Sequence, residues 1–98
     1  MTDNELKIFS SWKQLAILRE FNGSFRSPEE AYERLLRTGK KISKGLINVT
    51  LELALECNYM VHERKGKRFV YQTTKIFRDK YKQVFSTPVE QLDSILNS

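Results

Sequence analysis

The sequence predicts an α+β chain, mostly helical, in which one β-hairpin follows the main helices and more helix follows the hairpin. Three observations lead there. Apolar residues recur at helical spacing in separate blocks before residue 58 and again after residue 74. Two helix starts of the same design stand at Ser27-Pro28-Glu29-Glu30 and Thr87-Pro88-Val89-Glu90. Between these helical blocks, 59–63 and 69–73 alternate like strands around Arg64-Lys65-Gly66-Lys67-Arg68, and a glycine flanked by two β-type runs is a hairpin signal.

Residues 4–21 place Ile8, Trp12, Leu15, Ala16, Leu18 and Phe21 on one broad side, which predicts a single helix ended by Asn22-Gly23. Phe9, Trp12 and Phe21 are expected in the core or in a dimer interface. Ser24-Phe25-Arg26 reads as a short extended link. Ser27 then caps a second helix: Pro28 suits its first position, Glu30 completes a capping box, and both glutamates favour the positive end of the helix dipole. That helix runs through Ala31, Tyr32, Leu35 and Leu36 to a stop at Arg37-Thr38-Gly39.

After the connector Lys40-Lys41-Ile42, Ser43 caps a third helix over 44–58. Its apolar residues cover nearly the whole circumference, so it is expected to be the most buried. Lys44, Asn48, Glu52 and Glu56 recur every four residues and form its one polar stripe. The hairpin follows. A fourth helix over 74–85 is expected to turn Ile76, Phe77, Tyr81 and Val84 inward, and a short last helix begins at Thr87-Pro88.

A chain of 98 residues, 40% hydrophobic and 30% charged, suits one soluble domain with a modest core. No apolar run approaches about 18 residues, so no membrane span is expected. The first residues lack the basic-then-apolar order of a secretory signal. Cys57 is the single cysteine, which excludes an internal disulfide and fits a buried thiol in a reducing compartment, cytoplasmic or nucleoid-associated. The net charge of +5 is unevenly spread. Residues 23–45, 61–70 and 71–85 each carry +3, whereas 46–60 and 86–98 carry −2 each. The hairpin tip alone holds four cations in five residues. Crowded like charges repel, and a polyanion would relieve them. The plainer alternative is a solvated tip that protects the sheet edge.

The order is helix, extended link, helix, tight turn, helix, hairpin, helix. In that order the chain resembles the small winged helix-turn-helix regulators of bacteria, archaea and archaeal viruses, the PadR and MarR type among them. The resemblance covers about residues 12–82. It is carried by Ile42-Ser43-Lys44-Gly45-Leu46 at the start of the third helix, by Asn58-Tyr59-Met60-Val61 where helix passes into strand, by the tip Arg64-Lys65-Gly66-Lys67-Arg68, and by Tyr71-Gln72-Thr73-Thr74-Lys75 before the last helix. The stretch Thr74-Lys75-Ile76-Phe77 lacks the glycine that many relatives carry there, and Pro88 divides the C-terminal region.

The resemblance implies a DNA-binding domain over 1–85, with 86–98 as a short helix that covers the core or contacts a second copy. It implies double-stranded DNA as partner and a homodimer. The third helix would enter the major groove by its N-terminal end, which presents Ser43, Lys44, Gly45 and Asn48. Asn48 suits adenine, Lys44 a guanine or a phosphate, and Ser43 with the free N–H groups of the first turn a phosphate. Glu52 and Glu56 would be repelled, which restricts entry to the N-terminal half. Lys40 and Lys41 would flank the groove. Arg64, Lys65, Lys67 and Arg68 would reach the neighbouring backbone or minor groove.

His62 has no partner at metal-ligand spacing, and no Ser/His/Asp set, phosphate-cradling glycine loop or metal cluster stands in the chain. No enzyme and no cofactor is therefore expected; the sequence leaves a small-molecule effector open, with the space between the first helix and the C-terminal helices as the place that could hold one. Two functions remain: a sequence-specific transcription regulator, or a winged-helix protein of little specificity that coats DNA or contacts other proteins.

Overall fold

The computed structural model describes residues 2–85; the helix expected after Thr87-Pro88 lies outside them. Among the described residues, five helices and one two-stranded antiparallel hairpin make an α+β, mostly helical fold. The order is α1 (Asp3–Phe9), α2 (Trp12–Arg19), α3 (Pro28–Arg37), α4 (Lys44–Glu56), β1 (Met60–Lys65), β2 (Arg68–Thr73) and α5 (Lys75–Phe85). No helix among these residues is long and apolar enough to cross a membrane.

The single helix expected over 4–21 is two helices. Ser10 closes α1 and donates its hydroxyl to the Leu6 carbonyl at 2.6 Å, while Ser11 caps α2 by accepting from the Gln14 N–H at 3.3 Å. Two adjacent serines offer the backbone local partners that compete with a continuous helix. The break also changes the helical phase. Ile8 and Phe9 stay in the core, but Trp12, expected beside Ile8, is turned out and 62% exposed.

Helix α3 starts as expected. Ser27 Oγ accepts from the Glu30 N–H, and the Glu30 carboxylate accepts from the Ser27 N–H. The Ser27 N–H is the main cause that holds the Glu30 carboxyl below the usual range. At the other end Gly39 has φ +78°. Its N–H reaches the Leu36 carbonyl and the Lys40 N–H reaches Leu35, each at 3.0 Å, so two carbonyls left over by the helix are satisfied. Ile42 is buried and anchors the turn into α4.

Helix α4 lies across α1, α2 and α3 and buries Ile47, Thr50, Leu51 and Ala54. Its apolar girdle is less covered than expected. Leu46, Leu53 and Leu55 are half-buried, and Val49 is 51% exposed. Its neighbours close one side and part of both flanks, and they leave a ridge of Gly45, Asn48, Val49, Glu52 and Glu56 facing solvent. Thr50 keeps a buried hydroxyl with no hydrogen-bond partner among the described residues.

The exit from α4 sets the direction of the hairpin. Asn58 has φ +60°, a left-handed conformation that asparagine tolerates and branched residues do not. The Asn58 N–H bonds the Leu55 carbonyl at 3.2 Å and the Tyr59 N–H bonds Ala54 at 2.8 Å, the same closure that ends α3. The turn drives Tyr59 into the core against Phe9 and Phe77, with ring centroids 5.9 and 5.5 Å away. The Tyr59 hydroxyl donates to the Glu5 carboxylate, and the Tyr59 carbonyl accepts from the Thr74 N–H at 3.0 Å. One residue thus ties α4, α1, the hairpin and the start of α5 together.

In the hairpin, Met60 pairs with Thr73, His62 with Tyr71 and Lys65 with Arg68 around the two-residue turn Gly66-Lys67. Gly66 carries the positive φ, +67°, at the first turn position, as a two-residue hairpin of this hand requires. The extended link contributes one further bridge. Arg26 exchanges both backbone hydrogen bonds with Tyr71, at 2.9 and 2.7 Å, on the side of β2 away from β1. Helix α5 buries Phe77 and Val84, with Tyr81 half-buried on the same stripe. Ile76, expected inward, lies about 100° from Phe77 around the helix and is exposed.

Two measurements test this framework. Asn58→Gly is expected to stay within a few tenths of a kcal/mol of the native protein, whereas Asn58→Val loses about 1–2 kcal/mol in urea unfolding because the left-handed turn is retained under strain. Equal effects would show that the turn conformation does not matter. The second concerns Glu5. Burial alone would raise its carboxyl, but hydrogen bonds from Tyr59 and Thr2 outweigh burial and hold it below the usual range. A carboxyl depressed by folding contributes stability that is lost as pH falls through its folded value. Stability is expected to decline from about pH 5 downward. Glu5→Gln flattens that decline while lowering stability at neutral pH; a variant profile parallel to the native one would contradict the assignment.

Candidate nucleic-acid interface

Ser43 caps α4 by accepting the Leu46 N–H at 3.1 Å, and the other N–H groups of the first turn carry the positive end of the helix dipole. Lys44 and Asn48, one turn apart, line a small cleft of about 60 Å³ with Pro28, Glu29 and Ile47. Lys44 lies on the flank toward α3, its Nζ 5.0 Å from the centre of the Tyr32 ring. Asn48 is exposed on the outer ridge.

Pro28 and Glu29 also line a second, wider groove of about 250 Å³, whose other wall is Lys67, Arg68, Phe69 and Tyr71. The start of α3 therefore stands between the start of α4 and the hairpin. The positive charges of Arg68 and Arg26 reach far enough to add to the depression of the Glu30 carboxyl. Lys44, Asn48, Lys67 and Arg68 are thereby brought beside Pro28 and Glu29, although they come from distant parts of the chain, and Ser43 adjoins Lys44 as the cap of α4.

The remaining candidates sort by place. Lys65 is exposed at the tip, cross-strand from Arg68. Arg64 lies on the opposite face of the hairpin, paired with Phe69, and its Nε donates to the Gly66 carbonyl at 3.1 Å. Lys41 is exposed in the turn. Lys40 is not brought to this side; it lines a separate depression with Ala16, Arg19, Glu20 and Arg34. Glu56, at the far end of α4, accepts from the Asn4 amide at 2.9 Å and is committed to α1.

Three residues of this surface escape sequence reasoning. Glu29 reads in the sequence only as a helix-dipole residue, yet it is an acid set between two cationic walls. Phe69 is half-exposed at the mouth of the wider groove, where strand alternation alone does not decide which face is covered. Tyr32 supports Lys44; its position one turn into α3 is legible, but its partner requires the crossing of two helices.

Two groups with reactive side chains have structural surroundings. His62 lies between Phe69 and Tyr71, with centroids 5.5 and 5.7 Å away. Burial pushes the Cys57 thiol up, and the nearby Glu5 and Glu56 charges push it further, so the thiolate is disfavoured. No group of three or more potential metal ligands occurs among the described residues. Neither a family model nor a curated protein matches the chain.

Lys65 and Arg68 face each other directly across the strands, an arrangement that is unfavourable in the free protein. Lys65→Glu is expected to replace repulsion by attraction and to stabilise the fold by about 0.2–1 kcal/mol, read as a raised melting temperature. A lowered melting temperature would show that the pair is not repulsive in place.

Proposed function

We propose that this protein is a DNA-binding transcriptional regulator of the winged helix-turn-helix kind, acting as a homodimer on double-stranded DNA. In this reading α3 and α4 form the helix-turn-helix, the N-terminal half of α4 enters the major groove, and the hairpin is the wing. One observation carries the proposal: the start of α4 and the basic hairpin flank the same pair of residues, Pro28 and Glu29, so the cations of both elements line one side. The directly opposed Lys65 and Arg68 support it, because bound phosphate relieves a repulsion that the fold alone leaves standing.

The roles follow from position. Lys44, Ser43 and the first-turn N–H groups of α4 hold phosphates at one rim. Arg64, Lys65, Lys67 and Arg68 hold backbone or minor groove at the other. Glu29 keeps phosphate out of the middle and leaves it to a base edge. Asn48 reads that edge, adenine being the base whose donor and acceptor match its amide. Glu52, one turn beyond Asn48, limits how deep α4 lies. Trp12, Ile76 and Phe85 are exposed and line neither of the two clefts, so contact with a second copy would leave the cationic side open.

A dimer with roughly 6–10 phosphate contacts loses about 10³–10⁵ in affinity between 50 and 200 mM salt. Replacing Lys65 and Lys67 by Ala is expected to weaken binding on all duplexes alike and to reduce the salt slope by about one per residue. Asn48→Ala should instead relax preference at one or two base positions in a selection from random duplexes. Equal loss from Asn48→Ala on every sequence would remove it as a base reader. If selection enriches no sequence, the protein coats DNA without reading it, and if no duplex binds at low salt, the interaction-module reading stands instead.

A further inference from the structure

The outer ridge of α4 contains a feature that the polar stripe does not explain. Val49 is 51% exposed, while Ile47, Leu51 and Ala54 of the same helix are buried. A single exposed valine is ordinary. Its neighbour one turn earlier is less so. Gly45 lies within the helix without a positive φ, and a Cβ placed there would meet only Ser43 Oγ, at 4.0 Å. The fold therefore has room for a side chain at 45, and glycine weakens the helix relative to alanine. The ridge thus runs from a notch at Gly45 to an aliphatic rise at Val49, with the Asn48 amide beside it.

We propose that Gly45 and Val49 form a contact for the 5-methyl group of thymine, so that the preferred duplex carries a thymine next to the base that Asn48 meets. This rests on the DNA reading of the same side. The methyl of thymine is the apolar group that a base pair presents in the major groove, and aliphatic side chains are its partners. Gly45 lets the helix backbone come close, and Val49 supplies the apolar surface. The cations beside the ridge, Lys44 on its flank toward α3 and Lys67 with Arg68 beyond Pro28 and Glu29, favour a polyanion over an apolar protein segment as occupant.

The test removes one methyl group at a time. In the tightest duplex recovered by selection, each thymine is replaced singly by deoxyuridine. One position per half-site is expected to weaken the native protein about four-fold, the effect of one buried methyl. Val49→Ala, which keeps only its β-methyl, should shrink that difference. Gly45→Ala should raise the melting temperature yet weaken binding to every duplex. The proposal is overturned if no thymine responds, if Val49→Ala keeps the full difference, or if Gly45→Ala binds as tightly as the native protein. Salt-sensitive binding with no thymine effect would overturn this contact and leave the DNA reading intact; no binding to any duplex at 50 mM salt would remove both.

Discussion

The fold depends most on how the chain leaves α4. The left-handed turn at Asn58 converts the end of that helix into the start of β1 and pushes Tyr59 inward, where its ring, hydroxyl and carbonyl engage Phe9 and Phe77, Glu5, and Thr74. Truncating an aromatic ring buried this deeply costs about 3–5 kcal/mol, a large share of what a domain of this size has. The same junction fixes the angle between α4 and the hairpin. The proposed cationic side depends on that angle, so stability and function meet at a residue far from any expected contact with DNA.

The second constraint is the start of α3. Its capping box is local, written in Ser27-Pro28-Glu29-Glu30, yet it positions a tertiary feature. Arg26, just before it, pairs with Tyr71 through the backbone and holds the hairpin against α3. Pro28 and Glu29 therefore stand between Lys44 and the hairpin cations Lys67 and Arg68. Lys65 and Arg68 oppose each other in the free protein, and glycine at position 45 weakens the exposed start of α4. A duplex held across this side would explain all of these departures from local preference at once.

Much of the fold is legible in the sequence because its signals are local. The capping box of α3, the closing Gly39, the basic hairpin and the cap at Ser43 each depend on residues within a few positions. What is not legible depends on helical phase or on neighbours distant in sequence. Ser10 and Ser11 are each tolerable within a helix, but together they split the first helix and send Trp12 outward. Ile76 and Phe77 are adjacent and both apolar, and only the packing of α5 decides which one faces inward. Val49 reads as core because a sequence pattern cannot show that α4 lacks a neighbour on one side. Among the candidate binding residues, Lys44, Asn48, Lys67 and Arg68 are grouped by the start of α3, which borders both α4 and the hairpin, whereas Arg64 lies on the other hairpin face and Lys40 lines a separate depression.

The most direct test of a shared DNA-binding side is amide chemical-shift mapping on the isotopically labelled protein during titration with duplex DNA at low salt. Shifts are expected to concentrate at 29–30, 43–49 and 64–69 and to reverse on adding salt, with α1 and α5 little affected. Shifts centred on α1 and α5 with 43–49 and 64–69 unmoved, or no shifts at all, would contradict it.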